Sequence, residues 1–350
     1  MGQGLNSPFI RLLGVISYPW RLPLVNLGSP AVESSVIESL MNKIYIGTAG
    51  FSYPDWRGVV YPANVKKLFG HELVYLARYF DLCEINTSFY GPLKPKDAIA
   101  WCGHVTGVNP DFQFTAKLTR VFTHAANANT TSTSVDTIQY TPKDIADAKA
   151  GFDPLMAAGR LGAIVVQFPI SFKLKDKQKN GDAEPLHGNW DHVLDLLNIF
   201  KDYPLAVEFR DATWDDAWVI KELQERNVAF CNVDQPRLGN SLDGTDYVTA
   251  SFAYLRLHGR NYKTWFTSKN RDDRYDFLYD GERLERVEKR AAEMSKKAKK
   301  TFVVANNHPK GQAPANALQL KQMLSGKKVK APRSLVEYYR PQLEDIVESE

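Results

Sequence analysis

The sequence predicts a single (β/α)8 TIM barrel, and three observations carry that expectation. From Lys43 onward, eight short apolar runs recur, at 44–46, 83–85, 112–116, 163–167, 206–209, 228–233, 254–257 and 302–305. Between most of them lie stretches with helical spacing of apolar residues, the mark of parallel βαβ units. Eight strand–helix units within about 290 residues fit a closed barrel better than an open nucleotide-binding sheet, which usually needs fewer strands.

Each element has its own warrant. Leu73, Leu76, Ala77 and Phe80 fall at i, i+3, i+4 and i+7, so they form one buried helix face. Trp190, Val193, Leu194 and Leu197 repeat the spacing before the fifth run, and Leu284, Val287, Ala291, Met294 and Ala298 before the eighth. Packing on a sheet explains these aromatics and methionines without a cofactor. Gly47-Thr48-Ala49-Gly50 follows the first run but lacks GxGxxG spacing and an acidic residue about twenty positions on, so no dinucleotide site is expected. Two long connections, 123–140 (rich in Thr, Ser and Asn) and 173–188 (rich in Lys and Asp), read as surface loops or lids.

Composition sets the domain plan. At 44% hydrophobic and 24% charged the chain is globular, and a net charge of +4 over 350 residues names no partner. The barrel is assigned to 43–326, with an N-terminal extension, 1–42, and a C-terminal tail, 327–350. The extension mixes Pro, Gly and Ser with apolar patches, has no acidic residue before Glu33 and carries Arg11 and Arg21. It reads as a disordered extension or an upstream start ahead of Met41, with an organelle-targeting segment as the alternative. Asn6 argues against myristoylation at Gly2. No apolar run reaches the length of a membrane span. Cys83, Cys102 and Cys231 have no CxxC spacing and read as buried free thiols. That usage fits a reducing compartment, so a cytoplasmic location is expected.

Barrel chemistry sits where strands end and βα loops begin, and polar residues crowd those points. The strand ends carry Glu84 and Asn86 with Tyr90 beyond, then Lys117, Gln167, Glu208 and Arg210, Asp234, Arg256 and His258, and finally Asn306 and Asn307. An ionised group buried alone costs several kcal/mol, so such a set forms a mutually satisfied network, a functional pocket, or both. Strand alternation points Glu84 with Asn86, Glu208 with Arg210, and Arg256 with His258.

These residues support three readings. In the first, the protein is an enzyme acting on a small phosphorylated or otherwise anionic substrate, with hydrolysis as the candidate reaction. Glu208 or Asp234 is then the base and His258 a general acid or base. Lys117, Arg210 and Arg256 clamp the anion, with Glu84, Asn86, Tyr90, Asn306 and Asn307 completing the substrate site. An anion is expected between the loops after strands seven and eight, where Ala313-Pro314 reads as a helix start. In the second reading the protein is a non-catalytic nucleic-acid binder. Arg260, Lys263, Lys269, Arg271 and Arg274 interleave with Tyr262, Trp265, Phe266 and Tyr275, the pattern of a single-strand groove. The third reading makes Glu84, Glu208, Arg210 and Arg256 layered salt bridges of a purely structural core. No cofactor is expected. A divalent-metal site built from Glu84, Glu208, Asp234 and His258 is the alternative, opposed by the neighbouring cations. The oligomeric state is not readable.

Several blocks together resemble one family: Ile46-Gly47-Thr48-Ala49-Gly50-Phe51-Ser52-Tyr53 with Trp56-Arg57-Gly58, Glu84-Ile85-Asn86-Thr87-Ser88-Phe89-Tyr90, Phe112-Gln113-Phe114-Thr115-Ala116-Lys117, Gln167-Phe168-Pro169, Glu208-Phe209-Arg210 with Trp214, Tyr254-Leu255-Arg256-Leu257-His258-Gly259, and Asn306-Asn307 with Asn316-Ala317. The chain resembles the YecE-like proteins, domain of unknown function 72, over about four-fifths of its length. The resemblance implies a TIM barrel and brings no established activity. The similarity of that barrel to endonuclease IV and xylose isomerase is what suggests nucleic acid, a fold-level analogy. His308 departs from the family, where an acidic residue commonly follows the paired asparagines.

Overall fold

The computed structural model describes residues 43–126, 134–176, 184–185, 187–263, 265 and 271–348. The eight apolar runs are eight parallel strands: β1 (Lys43–Ala49), β2 (Leu82–Ile85), β3 (Gln113–Lys117), β4 (Leu161–Gln167), β5 (Leu205–Glu208), β6 (Ala229–Asp234), β7 (Phe252–Leu257) and β8 (Lys300–Ala305). They close in the order β1-β8-β7-β6-β5-β4-β3-β2, with Lys43 opposite Lys300 and Thr48 opposite Ala305 at the seam. Closure leaves no sheet edge unpaired.

Helices cover the outer face: α1 (Val65–Phe69), α2 (Glu72–Leu76), α3 (Pro95–Thr106), α4 (Pro142–Ala157), α5 (His187–Ile199), α6 (Ala217–Glu225), α7 (Gly281–Ser295) and α8 (Gln312–Ser325). Their starts are written locally. Thr141 and Asp144 form a reciprocal capping box with Pro142 in the first turn of α4, and Asp280 accepts the Arg283 amide to open α7. The connection from β6 to β7, broken by Pro236, Gly239 and Gly244, crosses without a helix. The loop reading of 123–140 and 173–188 lies partly outside the described residues. Within it, residues 175–176 and 184–185 pair as a short antiparallel ladder.

Two apolar layers flank the sheet. The inner one, filling the barrel, contains Tyr45, Leu82, Val165, Cys231, Val233, Tyr254, Phe302 and Val304. The outer one joins helices to strands and includes Leu73, Leu76, Phe80, Trp190, Val193, Leu284, Val287 and Met294. All three cysteines are buried and unbridged. Beyond α8 the segment 327–348 folds back: α9 (Arg333–Tyr338) and α10 (Arg340–Leu343) bury Leu335 and Leu343, and the Tyr339 hydroxyl donates to the Lys310 carbonyl. No helix of the described residues is long and apolar enough to cross a membrane.

Gly47 shows how tightly β1 and β2 approach. A methyl group added there would lie 1.7 Å from the Leu82 carbonyl oxygen, a backbone atom that cannot swing aside. Gly47→Ala is therefore expected to destabilise the fold by about 3 kcal/mol, the upper part of the overpacking range. Denaturant unfolding checks this, and a loss below about 0.5 kcal/mol would contradict the packing.

Candidate functional site

Strand parity sorts the polar residues. On β6, Cys231 and Val233 belong to the barrel interior, so Asp234 faces outward; on β8, Phe302 and Val304 face in, so Asn306 does and Asn307 does not. The inward set therefore rises as Glu84, Glu208 and Arg256 in one layer, with Lys117, Gln167, Arg210, His258 and Asn306 nearer the mouth.

The lower layer is closed. The fully buried Arg256 guanidinium bonds Glu84 Oε1 at 2.6 Å through Nη2 and Glu208 Oε2 through Nη1. The Tyr254 hydroxyl donates to Glu84 Oε2 at 2.9 Å and lies 2.7 Å from the Thr115 hydroxyl. Arg210 Nε donates to Glu208 Oε1 at 2.9 Å. Burial alone would raise Glu208, but Arg256 and then Arg210 outweigh it and hold the carboxyl well below the usual range. His258 is pushed down to about 3, first by burial, so it is a neutral imidazole at physiological pH. Its Nδ1 lies 2.9 Å from Asn306 Nδ2, which fits an amide donating to that nitrogen and places the ring proton on Nε2. Nε2 is 3.4 Å from Glu208 Oε1, without hydrogen-bond alignment. This layer has the form of a structural salt-bridge core.

Above it opens a cavity of about 570 Å³ at the carboxyl ends of the strands. Its wall includes Asn86, Tyr90, Lys117, Gln167, Arg210 and Asn306, together with Arg120, Arg274, His124 and His308. Phe51, Tyr53, Phe89, Trp265 and Tyr275 supply aromatic surface, and Asp272 is the carboxylate among the described wall residues. Tyr53 stacks on His308 at 4.3 Å, and burial lowers the pKa of His308. Lys117 ends β3 half-buried, with its Nζ 5.4 Å from the centre of the Phe89 ring. Burial first, then the Arg256 charge, push it down to about 7, against the partial pull of Glu84 and Glu208.

Several sequence expectations are corrected by this geometry. Glu208 and His258 do not reach the cavity wall, since Arg210, Asn306 and Gln167 stand there instead. Asp234 sits behind the sheet, gripped by Arg260 at 2.6 Å, Tyr279 at 2.7 Å and Arg290 at 3.5 Å. Asn307 donates to the Phe277 carbonyl and to Asn316, also outside the barrel. Of the loops after β7 and β8, where an anion was expected, the stretch at Gly259 is packed by protein, since the Tyr279 hydroxyl accepts the Gly259 amide and a methyl group on Gly259 would lie 2.8 Å from Phe277, while Arg274, Asn306 and His308 line the cavity. Glu84, Glu208, Asp234 and His258 do not share one shell, and no group of three or more His, Cys, Asp or Glu among the described residues is placed to hold a metal. Of the interleaved loop, Arg260 is tied to Asp234 and Asp243 and Trp265 is buried, while Phe266, Lys269 and the Arg271 side chain lie outside the described residues. Arg120 and His124 were not anticipated. Arg274 and Tyr275 did stand in the cation–aromatic run, but Arg120 and His124 carried no signal.

Fold and site together define the class: a TIM barrel with a cationic, aromatic-lined cavity at the carboxyl ends of its strands. More narrowly, the chain belongs to the protein family of unknown function DUF72, whose model matches residues 45–337. It is 26% identical over 303 residues to the UPF0759 protein YunF of Bacillus subtilis, covering 80% of this chain and 94% of that one. Among solved structures it is similar to a DUF72 family protein from Thermotoga maritima, at 32% identity and a TM-score of 0.67, covering 81% of this chain and 99% of that one. A DUF72 family protein from Enterococcus faecalis, at 23% identity and a TM-score of 0.63, covers 81% of this chain and 95% of its own and shares the fold.

Two stability measurements follow. Arg256→Met strands two buried carboxylates and is expected to cost about 3–5 kcal/mol, most of it recovered when Glu84→Gln and Glu208→Gln are added. A single-variant loss under about 1 kcal/mol in denaturant titration would show the layer is not held by that guanidinium. Lys117→Met should instead stabilise. Between pH 7 and 10 the unfolded chain keeps a proton that folded Lys117 has released, so wild-type stability rises with pH there. Below 7 both states are protonated and the cost of burying the ammonium is fully present. The variant should gain on the order of 1–2 kcal/mol at pH 6, discounted from the dry-group value because the amine faces the cavity, with the gain shrinking toward pH 10. A gain that does not vary with pH would argue against a depressed lysine.

Proposed function

We propose that this protein is an enzyme that binds a small anionic, phosphorylated substrate in the cavity at the carboxyl ends of its barrel strands. One observation supports this above the rest: Lys117, Arg120, Arg210 and Arg274 stand on a wall whose described residues offer Asp272 as counter-charge. Arg256 and Arg210 together balance Glu84 and Glu208, so the excess on the wall rests on Lys117, Arg120 and Arg274. A concave, partly desolvated surface of one sign attracts the opposite charge, and guanidinium forks match phosphate oxygens. A cavity of about 570 Å³ has the size of a small-molecule site. Its rings suit an apolar or planar part of the same ligand, with Tyr90, 68% exposed, at the mouth.

An extended nucleic-acid groove is less well supported, because Arg260 and Trp265 are engaged within the protein. The acid–base groups that reach the ligand space include Lys117, His124, His308 and Asp272, and these replace Glu208, Asp234 and His258 as candidates for proton transfer.

Calorimetric titration with inorganic phosphate, pyrophosphate and a panel of sugar phosphates and nucleotides tests the reading. At least one phosphorylated compound should bind, and Arg120→Ala combined with Arg274→Ala should weaken it about tenfold or more, roughly 1.4 kcal/mol. The dependence on salt should be shallow, whereas a single-stranded oligonucleotide tracking several cations would lose affinity steeply. No binding of any phosphorylated compound, or tight oligonucleotide binding with a steep salt slope, would overturn the proposal.

A further inference from the structure

We propose that Lys117 is a covalent nucleophile, forming an imine with the carbonyl carbon of an aldehyde or ketone that also carries the anionic group. This inference rests on the anionic-substrate reading and names its class: a phosphorylated carbonyl compound.

The geometry singles out this lysine. Three arginines packed around the barrel mouth have anchored charges. Arg256 holds Glu84 and Glu208, Arg210 holds Glu208, and Arg260 holds Asp234 and Asp243. Lys117 has no carboxylate within ion-pair distance among the described residues, and its Nζ lies over the Phe89 ring. Its charge therefore contributes no pairing to the fold. It also belongs to a strand instead of a flexible loop, so its base is rigidly placed.

The surroundings then suit the chemistry. An amine becomes nucleophilic when desolvated or set beside other cations, and both conditions hold here. The same conditions push Lys117 down to about 7, so a substantial share is neutral at physiological pH. Arg120 and Arg274 on the same wall fit the anionic end of the substrate. In the step itself, the nitrogen lone pair bonds to the carbonyl carbon while the π pair moves to oxygen. The nitrogen loses a proton and the oxygen gains one, giving a carbinolamine. Loss of that oxygen as water leaves the C=N bond. Nothing is oxidised or reduced, and carbonyl plus amine becomes imine plus water. Once protonated, the imine is an electron sink for breaking a bond at the adjacent carbon.

Pyridoxal 5′-phosphate, which combines an aldehyde, a phosphate and a ring, is the probe. The full-length protein is treated at pH 7 with less than one equivalent, reduced with cyanoborohydride, and mapped by peptide mass spectrometry. The reduced adduct should sit on Lys117 on the order of 10-fold above any surface lysine, because an ordinary lysine is almost wholly protonated at that pH. Lys117→Arg, which keeps the charge, should lose the adduct while still binding inorganic phosphate, and excess phosphate should protect Lys117 in the wild type. Pyridoxal without the phosphate should label Lys117 several-fold less. Adducts spread evenly over surface lysines, with phosphate still bound, would overturn the imine and leave the anion site standing. Equal labelling of Lys117 by pyridoxal, with no protection by phosphate, would leave the nucleophile and remove the anion site. Neither labelling nor phosphate binding would remove both.

Discussion

The Arg256 guanidinium, sealed inside the barrel between Glu84 and Glu208, is the interaction on which the rest depends. It joins β2, β5 and β7 across the interior at a height where a barrel more often places branched aliphatics. Its strength lies less in the Coulomb attraction than in the absence of any alternative for its partners. Each carboxylate has lost its water, and Tyr254, Thr115 and Arg210 take up what the guanidinium leaves over.

That layer sets the electrostatics above it. Two buried glutamates would make the mouth negative if they stood alone. With Arg256 between them and Arg210 on Glu208, the layer carries no net charge, and Lys117, Arg120 and Arg274 face the cavity with Asp272 as the carboxylate among its described wall residues. Lys117 sits where both influences meet. It is too poorly solvated to keep its ammonium easily, and the nearby carboxylates are already satisfied. Neutral His258, held by Asn306, spaces the layer from the wall without adding charge.

The sequence showed nearly all of the barrel, because eight apolar runs separated by helical spacing admit few other arrangements. Six of the seven inter-strand segments carry helices as the spacing demands, while the β6–β7 segment has too much Pro and Gly to do so. The site was legible where alternation was applied. Glu84 with Asn86, Glu208 with Arg210, and Arg256 with His258 share the interior as expected. It failed where alternation was not carried through: Val233 is plainly an interior residue, which turns Asp234 outward, and the same logic turns Asn307 away from Asn306. Depth was the second difficulty. Nothing in a strand's pattern says at which level a polar residue stops being reachable, and that level separates Glu208 from Arg210. Arg120 and His124 lie beyond β3 in a loop without periodicity, so only coordinates could place them.

Closure of the barrel between β1 and β8 has a consequence for biosynthesis. Its first and last staves are more than 250 residues apart in the chain, so six intermediate strands leave the ribosome before the ring can shut. The wall is equally late. Asn306 and His308 follow β8, and the turn after them is tied by Tyr339, so the pocket takes shape only when the final helices have emerged. Until then the apolar lining of an open sheet stays exposed, the state in which an unfinished chain is most prone to aggregate.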